Sequence, residues 1–275
     1  MPIANLSQAS IRYEVSGTGD PTVLVHGSLT DRGTWEPVRS RLAPSLTVLA
    51  YDRRGHGEST GSKRSHPVRD DTRDLSELLE ALDLFPVHVI AHSYGGAIGL
   101  RLAADRPEMV RSLLLHEPPL VGLLEDDPAT APEAERLWAA LAAMQSHART
   151  GQAEVAVREV VDALSGEDGT ADRLSSESRD RLTRHVGRWV EEMDDPEATR
   201  PDPATLSDLL IPVLLTTGER SAPYLHRIVG ALAGRLRNAS VRTLPGVGHV
   251  PHREDPEQFI ALVQGFLVER TVPST

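Results

Sequence analysis

The chain has 275 residues, of which 39% are hydrophobic and 25% are charged, so it can bury a normal globular core as one large domain or two modest ones. Its net charge of −11 argues against a nucleic-acid or anionic-membrane partner, and the absence of cysteine excludes disulfides, thiolate metal sites and a cysteine nucleophile. The first residues do not resemble a signal peptide, and no apolar run reaches the roughly 18 residues of a membrane span. We therefore expect a soluble, cytoplasmic protein.

The first part of the chain alternates between predicted strands and predicted helices. Short apolar or alternating runs predict strands at residues 10–15, 22–25, 46–51, 86–90 and 110–115. A loop is expected over 52–62, between the third strand and the first helix. Apolar residues at helical spacing predict helices over 66–84 and 97–104.

From about residue 120 to residue 207 no strand is predicted, and the pattern indicates helices over 131–147, 153–164 and 176–193. Strands then return at 211–217 and 240–244, with helices at 223–236 and 254–269. Alternation of this kind predicts an α/β fold with a mainly parallel sheet covered on both faces, and such sheets bind ligands beyond the carboxyl ends of their strands. The all-helical stretch is expected to be an insertion that covers those ends.

Residues 91–96, Ala-His-Ser-Tyr-Gly-Gly, lie between a predicted buried strand and a predicted helix. A serine between small residues on a sharp strand-to-helix turn matches the G-x-S-x-G nucleophile elbow, with alanine in place of the first glycine. Bulky flanking residues would collide across such a turn. The alternative interpretation of Ser93 is a simple helix N-cap, but capping does not require Ala91, Gly95 and Gly96.

Three further motifs follow predicted strands. They are His-Gly-Ser at 26–28 with Trp35 nine residues after His26, Asp-Arg-Arg-Gly-His-Gly-Glu-Ser at 52–59, and Gly-Val-Gly-His at 246–249. Together with the serine elbow, and in this order, they resemble the α/β-hydrolase family over essentially the whole chain. The resemblance implies a mainly parallel eight-stranded sheet flanked by helices, a core domain of residues 1–119 and 208–275, and a helical cap of residues 120–207.

The resemblance assigns Ser93 as the nucleophile and His249 as its general base, with His252 the nearest rival. The third member of the catalytic triad, the acid, departs from the family's common pattern, because Ser221 stands where the family usually has an aspartate. Glu117, after the strand that follows the elbow helix, is the favoured acid. Glu219 and the absence of any acid are the alternatives.

The resemblance places the oxyanion hole at the backbone N–H groups of Ser28 and Tyr94. Motif 52–59 is expected to brace its loop. Candidate substrate-binding residues are Trp35, Trp138 and Trp189, although Trp35 is expected mainly to pack in the core. No histidine pattern has metal-ligand spacing, so neither metal nor cofactor is expected.

The favoured function is a serine hydrolase that cleaves an ester, lactone or similar acyl bond of a small to medium, largely apolar substrate through an acyl-enzyme. One alternative is non-hydrolytic chemistry on the same fold, as an acyl transferase, lyase or cofactor-free haloperoxidase. The other is a ligand-binding protein with a vestigial triad, which the missing aspartate at Ser221 favours. The expected partner is a small molecule; self-association as a homodimer is left open.

Overall fold

The computed structural model describes residues 1–61 and 67–271, the last three by backbone alone. The predicted loop end at Ser62 and helix start at His66 lie outside these ranges. Within them one sheet runs in the order β1-β2-β4-β3-β6-β7-β8-β9, with β5 beside β2. The strands are β1 (Ile3–Asn5), β2 (Ala9–Ser16), β3 (Asp20–Val25), β4 (Leu46–Tyr51), β5 (Thr60–Gly61), β6 (Val87–His92), β7 (Val110–His116), β8 (Val213–Gly218) and β9 (Ala239–Leu244).

The strands from β4 through β3 to β9 pair in parallel, whereas β1, β2 and β5 pair antiparallel at one edge. The mainly parallel sheet that the resemblance implies is confirmed, with nine strands in the described residues where eight were expected. All seven predicted strands are present. Only the short edge strands β1 and β5 have no counterpart in the prediction, because three and two residues are too few to display a periodicity.

The α-helices in the described residues flank the sheet or lie between β7 and β8. They are α1 (Glu36–Leu42), α2 (Pro67–Ala81), α3 (Tyr94–Asp105), α4 (Ala131–Arg149), α5 (Ala153–Ser165), α6 (Ser176–Arg184), α7 (Val186–Asp194), α8 (Pro196–Thr199), α9 (Pro203–Ser207), α10 (Pro223–Ala233), α11 (Pro251–Glu254) and α12 (Pro256–Thr271). Helices α4–α9 occupy the segment between β7 and β8. We find no strand in that segment, all of which the structure describes.

Two predicted helices are divided in the structure. The helix predicted over 176–193 breaks at His185, whose ring is buried and stacks on His56 at a centroid distance of 5.0 Å. That contact joins residues far apart in the sequence, so no local pattern shows it. The last helix breaks at Asp255, whose carboxylate accepts a hydrogen bond from Gln258 N at 3.0 Å, and Pro256 begins α12.

Side chains of the central strands alternate between two buried layers. On β3, Val23 and Val25 pack in the cluster that includes residues of α2 and α3, whereas Leu24 packs with residues of α1 and α12. Because successive residues of a strand point to opposite faces, a sheet covered on both faces needs apolar residues at every position. This is why the central strands appear in the sequence as continuous apolar runs.

The helices between β7 and β8 have a small core of their own. Val157 and Val160 of α5 and Trp189 of α7 pack in one buried cluster, which also receives Leu29 from the loop after β3. The segment is therefore packed directly on the carboxyl end of the sheet. Among residues 1–61 and 67–271 we find no helix with both the length and the apolarity that a bilayer crossing requires.

We expect Trp35→Ala to lower the free energy of unfolding by about 3–5 kcal/mol. The indole is fully buried, with its ring centroid 4.2 Å from that of His252 and 6.0 Å from that of Phe259, so the truncation leaves a cavity. Urea denaturation measures the change. The control is Leu210→Ala at a position that is 70% exposed. Equal stability of the two variants would contradict this assignment of Trp35 to the core.

Candidate active site

Ser93 lies on a tight turn between β6 and α3. Its φ of 51° and ψ of −123° are strained for a residue with a side chain. The neighbouring glycines are required by close packing: a Cβ on Gly95 would lie 2.5 Å from the carbonyl oxygen of Val25, and one on Gly96 would lie 2.9 Å from Cβ of Pro118. The strand–turn–helix predicted around Ser93 is therefore present, and small residues are needed there for steric reasons.

The loop after β3 lies directly against this turn. A Cβ on Gly27 would be 2.9 Å from Nδ1 of His92 and 3.0 Å from Cβ of Ser93. Ser28 follows Gly27, and it lines the same cavity as Ser93. The backbone of residues 27–28 therefore approaches the start of α3, where Tyr94 begins the helix.

His249 and Glu117 meet at the carboxyl end of the sheet. Nδ1 of His249 donates a hydrogen bond of 2.6 Å to Oε2 of Glu117, although 132 residues separate the two in the sequence. The carboxylate is completely buried, and the imidazole is 9% exposed. With Nδ1 engaged in this way, Nε2 is the nitrogen of His249 that is available for proton transfer.

The Glu117 carboxylate is held in place on both oxygens. Oε1 accepts hydrogen bonds from Oγ1 of Thr217 at 2.7 Å and from the backbone N–H of Gly218 at 2.8 Å. Burial by itself would raise the pKa of Glu117, but the facing imidazoles of His116 and His249 outweigh it and hold that pKa well below its ordinary value. Glu117 is therefore ionised at neutral pH.

The other candidate acid and base have different partners. Oε2 of Glu219 accepts a hydrogen bond from Gly246 N at 2.7 Å, so this carboxylate braces the loop that carries His249. Ser221 is buried beside it. Nε2 of His252 lies 2.8 Å from Oγ1 of Thr34, and the ring packs on Trp35. Glu117, and not Glu219, is the carboxylate that contacts His249.

His92 links the serine turn to the histidine loop. Burial, followed by the neighbouring His249, lowers the pKa of His92 well below its ordinary value, so its ring is neutral. Nε2 of His92 donates a hydrogen bond of 2.7 Å to the backbone carbonyl of His249, and the two ring centroids are 4.7 Å apart. The residue next to Ser93 therefore positions the His249 backbone.

The nitrogen and oxygen atoms of His116, Glu117 and His249 also lie within 4.8 Å of one another, a spacing that could hold a metal ion. Both oxygens of Glu117 already accept hydrogen bonds, and Nδ1 of His116 lies 3.0 Å from Oγ1 of Thr216. These contacts hold the cluster together as a hydrogen-bonded network around Glu117, with Nε2 of His116 3.5 Å from Oε2 of Glu117.

Ser93, Glu117 and His249 all line one cavity of about 560 Å³. It extends from the sheet towards the helices between β7 and β8. Its lining is mostly apolar, with a few arginine and glutamate side chains. The apolar lining residues include Leu29, Val121, Leu137, Leu141, Met144, Val160, Val161, Leu164, Leu182, Trp189, Met193 and Leu225.

Of the three candidate substrate-binding tryptophans, Trp189 lines this cavity. Among the described residues, Trp35 and Trp138 are not part of its lining, so the structure does not bring these two predicted residues to the cavity. Trp35 is fully buried in the core. Trp138 is half-buried against the core cluster, its indole N–H donates to Glu125 at 2.5 Å, and the guanidinium of Arg200 lies 4.1 Å from its ring centroid.

The loop 52–59 is braced as expected. The buried Asp52 carboxylate accepts backbone hydrogen bonds from Arg32 at 2.9 Å and Glu58 at 3.0 Å, and Arg54 pairs with Asp74. Sequence reasoning missed the contribution of Thr217 and Gly218 to the site. Their position at the carboxyl end of a predicted strand was the only available signal, since the register of that strand against Glu117 is tertiary information.

Comparisons with known proteins agree with this fold. The model of the alpha/beta hydrolase family matches residues 22–262. An uncharacterised protein of Mycobacterium tuberculosis is 26% identical over 268 residues, which cover 93% of this chain and 77% of that protein. A putative carbamate hydrolase of Azorhizobium caulinodans is 36% identical over 115 residues, covering 42% of this chain and 43% of that one.

Solved structures share the fold. Est816, described as an N-acyl homoserine lactone degrading enzyme, superposes with a TM-score of 0.76 at 24% identity, covering 96% of this chain and all of that one. The enol-lactonase of Burkholderia xenovorans gives a TM-score of 0.77 at 20% identity, covering 97% of this chain and all of that one. With the family model spanning most of its length, this chain belongs to the alpha/beta hydrolase family.

Proposed function

We propose that this protein is a serine hydrolase that cleaves an ester, lactone or similar acyl bond of a small to medium, largely apolar substrate. One observation carries the proposal: the hydrogen-bonded pair of Glu117 and His249 lines the same cavity as Ser93, whose backbone is strained. A serine hydroxyl needs an oriented base to become nucleophilic, and a carboxylate behind the imidazole provides the orientation. Family membership supports hydrolase chemistry in general.

In the proposed reaction, Nε2 of His249 removes the proton from Oγ of Ser93 as the oxygen attacks the substrate carbonyl. The negative charge on the tetrahedral intermediate is stabilised by the backbone N–H groups of Ser28 and Tyr94, and Glu117 stabilises the imidazolium. His249 then returns the proton to the departing alkoxide. Water, deprotonated by His249, attacks the acyl-enzyme; the bond to Oγ of Ser93 breaks, the acid leaves, and His249 returns the proton to Oγ.

We propose that residues 120–207 act as a cap that shapes the substrate cavity. The apolar side chains of α4, α5 and α7 line it opposite Ser93, which supports an uncharged, apolar acyl group as the preferred occupant. Relatives whose descriptions name a lactone, an ester or a carbamate as substrate support an acyl bond as the target. The alternative of a ligand-binding protein without an acid loses its basis, because Glu117 stands behind His249.

A fluorophosphonate probe is expected to label the native protein at Ser93 and not to label Ser93→Ala, because the alanine has no oxygen to phosphonylate. Hydrolysis of 4-nitrophenyl butyrate should fall roughly 10⁶-fold in the same variant. The control is Ser207→Ala, which removes a hydroxyl that bonds Ala204 O within α9. Labelling that persists in Ser93→Ala, or a native protein that is neither labelled nor active, would contradict the proposed function.

Glu117→Gln is expected to lower kcat by about 10⁴-fold, because a neutral amide neither stabilises the imidazolium nor fixes the correct tautomer of His249. Steady-state kinetics with 4-nitrophenyl butyrate measure the loss, and circular dichroism checks that the fold is retained. Glu219→Gln is the matched control and should keep kcat within about threefold, since its amide oxygen still accepts from Gly246. Reversed effects of the two variants would make Glu219 the acid.

Lengthening the acyl chain of a 4-nitrophenyl ester from acetate to butyrate and hexanoate is expected to raise kcat/KM by roughly fourfold per methylene, from about 0.8 kcal/mol per buried CH₂. Each value is divided by the uncatalysed rate of the same ester to remove intrinsic reactivity. The methoxyacetate ester, which has the length of butyrate but an oxygen in place of one methylene, is the control and should fall below butyrate. A rate that decreases from acetate to hexanoate would refute an apolar acyl site.

A further inference from the structure

A buried network of charged groups joins helix α7 to the loop that follows β3. Its centre is Glu192 on α7, which is completely buried. Oε1 of Glu192 accepts a hydrogen bond of 2.7 Å from the guanidinium of Arg53, and Oε2 accepts one of 2.5 Å from the hydroxyl of Ser28. A carboxylate that is removed from water in this way is stable only while those donors stay in place.

The loop after β3 receives two of these contacts. The hydroxyl of Ser28 donates to Glu192, and the Arg53 guanidinium donates to the backbone carbonyl of Gly27 at 2.8 Å. The same guanidinium donates to Asp71 at 2.8 Å, so it is anchored in the core as well. Glu192 therefore contacts Ser28 directly and Gly27 only through Arg53, while Nδ1 of His26 also donates to the Gly27 carbonyl at 2.8 Å.

His56 also contacts Glu192. Nδ1 of His56 donates to the carbonyl of Thr30 at 2.9 Å, because a carbonyl can only accept. Nε2 of His56 lies 3.1 Å from Oε1 of Glu192, and burial, followed by the charge of Arg53, lowers the pKa of His56 to about 4. The Arg53 guanidinium donates to the carboxylates of both Asp71 and Glu192. An apolar residue at position 192 would deprive the Ser28 hydroxyl and the Arg53 guanidinium of this acceptor.

We propose that Glu192 is a positioning residue: it holds the backbone N–H of Ser28 at the oxyanion hole, so that catalysis requires the cap to be seated on the sheet. This inference rests on the proposed function, in which Ser28 supplies one of the two oxyanion donors. A donor helps only when it is already aimed at the developing charge, and small displacements of it reduce the rate. Because Glu192 bonds to Ser28, the loop that carries Ser28 is fully ordered only while α7 packs on the core.

The principal test is Ser28→Ala, which keeps the backbone N–H and the Arg53–Glu192 pair but deletes the link to the cap. We expect kcat for 4-nitrophenyl butyrate to fall about tenfold with KM nearly unchanged, because the loss affects the transition state. Hydrogen–deuterium exchange of residues 26–30 in the free protein is expected to become faster. Unchanged kcat together with unchanged exchange would overturn the proposal.

The second test approaches the same link from the cap. Glu192→Ala should reproduce both effects, and its kcat loss should not add to that of Ser28→Ala in the double variant, because the two changes break one link. Glu192→Gln should restore most of kcat, since its amide can still hydrogen-bond to Ser28. Additive losses in the double variant would show that Glu192 does not act through Ser28. If Glu192→Ala does not fold, the Ser28→Ala result alone decides.

The matched control is Glu191→Ala, one residue earlier on the same helix. Its side chain is 38% exposed and pairs with Arg188, so this variant should leave kcat and loop exchange unchanged. Fluorophosphonate labelling of the native protein separates the two proposals. If the native protein is neither labelled nor active, the hydrolase assignment fails, while the exchange of residues 26–30 still reports whether Glu192 orders the loop.

Discussion

The hydrogen bond between Glu117 and His249 is the constraint on which the rest of the site depends. It fixes the imidazole ring and its tautomer at the edge of the cavity, with a fully buried carboxylate behind the ring and the two residues after different strands. Oxygen Oε1 of Glu117 is saturated by Thr217 and Gly218, so Oε2 is directed to His249. In the proposed triad the acid is thus a glutamate after β7, while a serine stands at position 221.

Parallel register explains why an acid after β7 can serve this purpose. His92 of β6 pairs with His116 of β7, so Ser93 and Glu117, the next residues of each strand, leave the sheet side by side. The backbone N–H of Ser93 donates to the carbonyl of His116 at 2.8 Å. Both residues have positive φ, which turns each chain sharply away from its strand. The proposed nucleophile and the proposed acid are therefore positioned by neighbouring strand ends of one sheet.

In the proposed function, residues 120–207 contribute chemistry as well as shape. Their apolar residues line the cavity, and the buried carboxylate of Glu192 joins the loop that carries Ser28. Substrate binding and oxyanion stabilisation would then depend on one docking arrangement of the helices between β7 and β8. A cap attached in this manner can limit water access and still influence the reactive centre through Ser28 and Arg53.

The sequence by itself determined the strands, the elbow and the order of the motifs, because periodicity and sharp turns are local properties of the chain. For the acid it left three alternatives, Glu117, Glu219 or no acid, because each glutamate follows a predicted strand. Only the tertiary structure shows that Glu117 contacts His249, and only it revealed the break at His185, the contacts of Trp138 with Glu125 and Arg200, and the buried partners of Glu192. Each of these depends on contacts between residues distant in the chain, and such contacts are set by strand register and helix docking, which no local pattern encodes.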